Sequence, residues 1–268
     1  MTQASARTRP LDLDYTIDDD IPPSPKRDSQ FIFARAPQLV TEKATDGQRG
    51  RVLDVGCAFG EQMALLRARR WESWGLDASF ALAHYCRTRF AGEEPSPVVA
   101  GTAEQLPFRD RSLDSIVCQG SLDHFAHPDA FLQEAARVLK PQGRLVIALA
   151  NYDSLSCRLA RATFGLRRML RRPVLSGRHY WEIPRNHTFR GTPAVLQRLA
   201  EPYFEPVECR GVSLLWLFPR WTQLMELLPQ RAAWWAMSIL DAIAYRAPAI
   251  ADMSVSVWRP ANRTNGHA

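Results

Sequence analysis

The chain has 268 residues, a formal net charge of +6 and a hydrophobic fraction of 46%. That length and apolar content fit one large domain, or a domain with an insertion, around a sizeable core. The five cysteines are scattered, odd in number and without a Cys-x-x-Cys pair, which argues against a disulfide framework or a zinc site and for reduced thiols.

Lysine occurs only at positions 26, 43 and 140, so the positive charge is nearly all arginine. A basic balance suits nucleic acid, an anionic membrane surface or an acidic substrate. No apolar run approaches the ~18 to 20 residues of a spanning helix. The polar N-terminal stretch lacks an apolar signal region, so the expected location is the cytoplasm.

Residues 1–28 carry Asp18-Asp19-Asp20, Pro22-Pro23 and Pro25 with few apolar side chains, and read as a flexible N-terminal arm. Phe31 to Val40 reads as a short helix. Val52, Leu53 and Val55 form a buried strand, Gly56 and Gly60 a tight turn, and Glu61 to Arg69 a helix. Glycine lets the backbone turn sharply and lets a ligand approach, and the helix start offers free N–H groups. Trp74 to Asp77 ends a second strand, and Ser79 caps a helix running to Phe90. Pro97 to Gly101 and Ser112 to Gln119 are strands three and four. Pro128 opens a helix that Pro141-Gln142-Gly143 stops, and Leu145 to Ala150 is strand five.

Regularity breaks after Asn151. Residues 152–190 read as an irregular, arginine-rich insertion. Pro193 begins a helix, Phe204 to Val212 is strand six, and residues 213–247 hold two apolar helical stretches split near Pro229. Asp252 to Trp258 is the last strand, and residues 261–268 a loose tail. Alternating strands and helices imply a mainly parallel, doubly wound α/β sheet, here of seven strands, whose ligand site lies at the carboxyl ends of the strands.

Several segments carry a resemblance. Asp54-Val55-Gly56-Cys57-Ala58-Phe59-Gly60 resembles motif I of the class I S-adenosylmethionine-dependent methyltransferases, with Ala58 at the usual middle glycine. Gly101-Thr102-Ala103-Glu104-Gln105-Leu106-Pro107-Phe108 is similar to the family's adenine-binding segment, with Thr102 for its aspartate. Ser112 to Val117, then Leu122-Asp123-His124, and Ala136 to Leu145 complete the series, with Asp123 for the family's glutamate. The likeness covers about residues 50–152 and points to the subgroup acting on small molecules, including quinone-type acceptors.

The resemblance implies a Rossmann-like methyltransferase domain over residues 29–260, with 152–190 and 213–247 as a helical acceptor cap. It implies S-adenosylmethionine as cofactor, held by Asp54, Gly56, Cys57, Gly60, Asp77, Ala78, Ala103, Glu104 and Gln119. Asp77, at the end of strand two, would accept hydrogen bonds from the ribose hydroxyls. An oxygen acceptor must also lose a proton. His124, after strand four, and His187, in the cap, are the candidate catalytic residues. A structural role competes for both.

Other functions find less support. The dinucleotide pattern Gly-x-Gly-x-x-Gly is absent. Gln119-Gly120-Ser121-Leu122 stands where amino-methylating enzymes of nucleic acid carry Asn/Asp-Pro-Pro-Tyr/Phe, and the Pro-Cys nucleophile of cytosine enzymes is missing there. No His/Cys/Asp cluster has metal-ligand spacing, so no metal is expected. The basic, aromatic-rich cap suits an apolar or lipid-like acceptor, with O-methylation favoured, and allows peripheral membrane contact. A non-catalytic member of the same fold is the alternative.

Overall fold

A computed structural model describes residues 26–45, 49–92, 97–170, 179–184 and 186–261. Its elements in chain order are α1 (Arg27–Ala44), β1 (Arg51–Val55), α2 (Glu61–Ala68), β2 (Glu72–Asp77), α3 (Phe80–Arg89), β3 (Val98–Ala100) and β4 (Leu113–Gln119). A short 3₁₀ turn, Leu122–His124, precedes α4 (Pro128–Val138) and β5 (Leu139–Ala150). Then follow α5 (Leu155–Met169), α6 (Pro193–Ala200), β6 (Phe204–Val212), α7 (Pro219–Leu227), α8 (Gln230–Arg246) and β7 (Met253–Pro260).

The strands form one seven-stranded sheet in the order β3-β2-β1-β4-β5-β7-β6. β7 runs antiparallel to β5 and β6, and the other pairings around β1 and β4 are parallel. Strand order reverses between β1 and β4, which marks where a ligand crevice opens in such sheets.

The central strands β1, β4 and β5 carry apolar side chains on both faces because helices cover both. Leu53 and Val55 of β1 and Ile116 of β4 pack with Phe131, Leu132 and Ala135 of α4 and Leu196 of α6. Val52, Val117, Val146 and Val255 point the other way, onto Ile32, Ala36, Leu39 and Val40 of α1. This alternation along each strand decides which side each helix covers.

Two boundaries differ from the sequence-based expectation. The helix begins at Arg27, so residues 27 and 28 are not part of an arm; residues 1–25 lie outside the described residues. Buried Asp28 accepts hydrogen bonds from Thr222 Oγ1 at 2.7 Å and the Leu217 N–H at 3.2 Å. The polar character that suggests an arm instead ties α1 to the C-terminal helices. Similarly, strand β7 extends to Pro260 and the Ala261 N–H bonds Tyr203 O; the rest of the expected tail, 262–268, lies outside the described residues.

The expected cap is also placed differently. α7 and α8 rest on α1: Phe31 meets Trp234 edge-on at 5.3 Å, and Arg35 pairs with Asp241 at 2.9 Å. Residues 152–190 hold the regular helix α5 rather than only irregular chain. Arg161 of α5 is tied to Tyr152 O and Asp153, whereas Arg158 is exposed. Arg171 and Arg172 lie outside the described residues.

Candidate active site

A cleft of about 620 Å³ opens across the carboxyl ends of the central strands. That volume falls inside the range of roughly 300–1,000 Å³ usual for small-molecule sites. One wall is the turn after β1. Gly56 and Gly60 have φ of +76° and +78°, and Ala58 between them has φ of +42°. A Cβ on Gly56 would lie 2.2 Å from Ser121 Oγ, so the turn needs glycine for space as well as conformation. The N–H groups of Gly56 and Cys57 both reach Leu76 O, which fixes the turn on the end of β2.

Asp77 closes this wall. Its Oδ2 accepts the Ala58 N–H at 2.9 Å, and its Oδ1 accepts the Ser79 N–H at 2.9 Å. Ser79 Oγ in turn accepts the Leu82 N–H and caps α3. Asp77 is therefore not the helix cap, and its side chain is buried rather than open. Each carboxylate oxygen can accept more than one hydrogen bond, and the residue lines the cleft.

Gly56, Asp77, Ala78, Ala103, Glu104 and Gln119, all expected in the cofactor site, line the cleft. Asp54, Cys57 and Gly60 are not among the lining residues. Cys57 turns inward to pack with Met63 and Cys86, because its side chain leaves the turn on the core side. Gly60 sits at the start of α2, where a Cβ would meet Cys86 Sγ at 2.7 Å. Asp54 is buried beneath the turn, and its Oδ2 has no hydrogen-bond partner. Burial, then the charges of Asp77 and Glu61, push its carboxyl up to about 8. Thr102 does not line the cleft, so its departure from the family's aspartate leaves the wall to Ala103 and Glu104.

The far end of the cleft is built after β4. Ser121, His124, Phe125 and Ala126 line it, together with Asn186 and Thr188 from a distant segment. Thr188 fixes that segment: its N–H and Oγ1 both bond Asp123 O, at 2.7 and 3.1 Å. His187 thereby comes beside His124, with ring centroids 4.5 Å apart. His187 Nδ1 lies 2.8 Å from Asp123 Oδ2, but off the line a good hydrogen bond needs, so Nδ1 has no hydrogen-bond partner. His124 is exposed toward the cleft; His187 is not among its lining residues. None of the cap helices α5, α7 and α8 contributes a lining residue.

Asn186 and Thr188 carry no recognisable motif. They lie more than sixty residues beyond β4 in sequence, and the Thr188–Asp123 pairing brings them to the site.

The groups present fit a nucleoside with a cationic tail. Asp77 offers acceptor capacity to ribose hydroxyls. Gln119 Oε1, on the cleft wall, is a buried acceptor without a partner. The left-handed turn gives the backbone close approach.

The turn yields one prediction on stability. A left-handed conformation costs an L-residue about 1–2 kcal/mol, partly offset by the greater chain entropy of glycine. Ala58→Gly is expected to stabilise by up to about 1 kcal/mol, a rise of roughly 2–4 °C in Tm. A lower Tm in calorimetric scans would overturn this account of Ala58.

Comparison with known proteins agrees with the geometry. Residues 53–147 match the methyltransferase domain model. The chain is 34% identical over 150 residues to a fatty-acid O-methyltransferase of Mycolicibacterium smegmatis, covering 53% of this chain and 54% of that one. It is 35% identical over 97 residues to a demethylmenaquinone methyltransferase of Clavibacter sepedonicus, covering 36% of this chain and 40% of the relative. The match thus spans about half or less of these curated relatives. A solved protein of Pyrococcus horikoshii has the same fold, with a TM-score of 0.57 at 20% identity over 91% of this chain and 97% of that one. Residues 53–147 are thus the part of the chain that matches the methyltransferase domain model, and they lie within a fold shared with the Pyrococcus horikoshii protein.

Proposed function

We propose that the protein transfers a methyl group from S-adenosylmethionine to an oxygen of a small, largely apolar acceptor. The observation that carries this is the polarity of the cleft. Asp77 and Glu104 stand at the β2–β3 end, and His124, Phe125 and Ala126 at the β4 end.

S-adenosylmethionine supplies a methyl already activated on a sulfonium, so the protein chiefly aligns the reactants and excludes water. Asp77 accepts from the ribose hydroxyls, and Ala103 and Glu104 border the adenine. Phe125 and Ala126 give the acceptor an apolar wall. His124 is the side chain at the acceptor end where a hydroxyl acceptor loses its proton; a carboxyl acceptor arrives already ionised. The likeness to a fatty-acid O-methyltransferase supports oxygen as the acceptor atom, and the likeness to a demethylmenaquinone methyltransferase supports an apolar body.

An apolar acceptor is drawn from a membrane surface, and α8 suits one. Its outward stripe Trp235, Ile239 and Ile243 is exposed, Trp235 by 70%, and lies between Arg231 and Arg246. Among the described residues no helix is long and apolar enough to cross a membrane. Sedimentation with anionic vesicles is expected to show binding that weakens with salt. Loss of that binding in Trp235→Ser/Ile239→Ser locates it on α8; no binding by the wild type overturns the membrane contact.

Calorimetry is expected to show S-adenosylmethionine bound with micromolar affinity, about −8 kcal/mol. Labelled methyl should then move to fatty acids or quinols. Methyl transfer only to amines would overturn the oxygen assignment, and tighter binding of NAD than of S-adenosylmethionine would overturn the cofactor.

Asp77 has two roles that its substitution separates. Asp77→Ala should weaken cofactor binding by about 1.5–3 kcal/mol and also lower Tm, because two backbone N–H groups lose their acceptor. Asp77→Asn should recover part of the Tm and less of the affinity. Unchanged affinity in both variants would show that the carboxylate serves the loop alone.

A further inference from the structure

We propose that Asp123, His124 and His187 form a binding site for one divalent transition-metal ion at the acceptor end of the cleft. The inference rests on the methyl-transfer reading of that cleft. Each residue offers one donor atom, and the three atoms lie within 4.8 Å of one another. In sequence, His187 is more than sixty positions from the other two, so spacing gave no sign of the cluster. The site departs on this point from the expectation of no metal, which spacing alone supports.

The state of Asp123 is the second observation. Its side chain is only 4% exposed, and its Oδ1 has no hydrogen-bond partner. Among the described residues its one ion-pair contact is His187, and there Nδ1 is close but misdirected. A buried carboxylate so poorly paired is costly, and a bound cation would remove that cost. Asp123 Oδ1 and His187 Nδ1 are two unsatisfied polar atoms in one place, one an acceptor and the other a ring nitrogen.

Donor chemistry selects the ion. Two imidazoles and one carboxylate suit Zn²⁺, Fe²⁺, Co²⁺ or Ni²⁺; Mg²⁺ and Ca²⁺ prefer oxygen alone. Metal–ligand bonds of about 2.0–2.2 Å bring tetrahedral donors to roughly 3.3–3.5 Å from one another. Asp123 and His187, 2.8 Å apart, reach that spacing by opening about half an ångström. His124 is exposed and closes the remainder by turning its side chain. Because His124 lines the cleft, the open coordination position faces the acceptor.

The chemistry balances without a redox partner. With the ion bound His124 acts as a ligand in place of the base: an acceptor hydroxyl held at the open position loses its proton to water more readily, as a Lewis acid stabilises the oxyanion. The oxygen lone pair forms the new C–O bond, the C–S bond breaks, and its electron pair stays on sulfur. The Asn186 and Thr188 side chains, on the same segment as His187, border this position.

The test uses the full chain stripped with a chelator and titrated with Co²⁺ and with Zn²⁺. The expected result is one equivalent bound, with visible d–d absorption from Co²⁺. His187→Ala should weaken binding at least tenfold. His124→Ala removes an exposed side chain, so it keeps the test sound if a buried substitution fails to fold, and it should weaken binding likewise. Absence of a 1:1 Co²⁺ spectrum, or equal binding by both variants and the wild type, overturns the site. S-adenosylmethionine titrated into the same preparations separates the two failures. Cofactor binding without metal binding sinks only the metal site. Loss of cofactor binding by the wild type sinks the methyl-transfer reading beneath it.

Discussion

His124→Ala is expected to lower methyl turnover by about 10²- to 10⁴-fold, the range for removing a group that handles a proton in the transition state. Affinity for S-adenosylmethionine should change little, since Asp77, Ala103 and Glu104 stand at the other end of the cleft. The fold should also survive. His124 is exposed, and its own N–H still bonds Ser121 O. The motif leaves a structural role open, and that exposure weakens it: little packing is lost on truncation. A drop in Tm with near wild-type turnover would nevertheless establish the structural role. Turnover measured at saturating cofactor, beside melting curves, decides between the two.

His187 sharpens the same test. It is half-hidden behind His124 and beside Asp123, so it acts on the acceptor through its neighbours. Residues that serve one unit lose activity non-additively. The double variant His124→Ala/His187→Ala should therefore be no slower than His124→Ala by more than about a few-fold. Multiplied losses would mean that the two histidines work in separate places.

Much of this site was legible in the sequence, and the reasons are local. The turn from Gly56 to Gly60 joins a strand of four buried residues to a helix, and position 56 needs glycine for its φ and its crowding against Ser121. Asp77 and Ser79 announce themselves as a strand end and a cap. Each of these is decided by neighbours within a few residues. The central strands are legible too, since helices on both faces demand apolar side chains on both.

What was not legible depends on distant pairs. Polar residues at 27 and 28 look like an arm until Thr222 and Glu226 are seen to hold them. Tryptophans 221 and 234 look like a lid, yet they pack in the cluster that joins the C-terminal helices to Phe31 of α1. Cys57 falls inside a cofactor motif but turns to the core. Asn186 and Thr188 reach the cleft, and His187 comes beside His124, on a segment that two bonds to Asp123 O hold in place. No periodicity encodes a contact of that range.

The second large effect concerns pH. Asp54 and Asp252 are buried carboxyls whose folded-state values are raised, to about 8 and about 7. For Asp54 burial is the main cause, with the charges of Asp77 and Glu61 added. For Asp252 burial is again the main cause. Hydrogen bonds from Ser156 and from the Trp216 N–H pull it part of the way back. In the unfolded chain both titrate near 4. Below that value both states hold the proton and neither group opposes folding. As pH rises from about 4 to 8 the unfolded chain releases protons that the folded protein retains. Stability is lost across that window and then levels off. A tenfold change in proton affinity on folding corresponds to about 1.4 kcal/mol, so each group accounts for a few kcal/mol. Glu134 opposes this trend, because Arg137 holds its carboxyl low, so its stabilisation is lost toward acid. The growing net positive charge at low pH opposes it too. The difference between variant and wild type removes both complications. Asp54→Asn cannot ionise, so its stability relative to wild type should rise steadily from pH 5 to pH 8, by a few kcal/mol in denaturant titrations. Asp252→Asn loses an acceptor for either Ser156 or Trp216, so it should start lower at pH 5 and gain in the same direction. Curves for Asp54→Asn and wild type that stay parallel over this range would show that Asp54 is ionised in the folded protein at pH 5, with its charge compensated beneath the glycine turn.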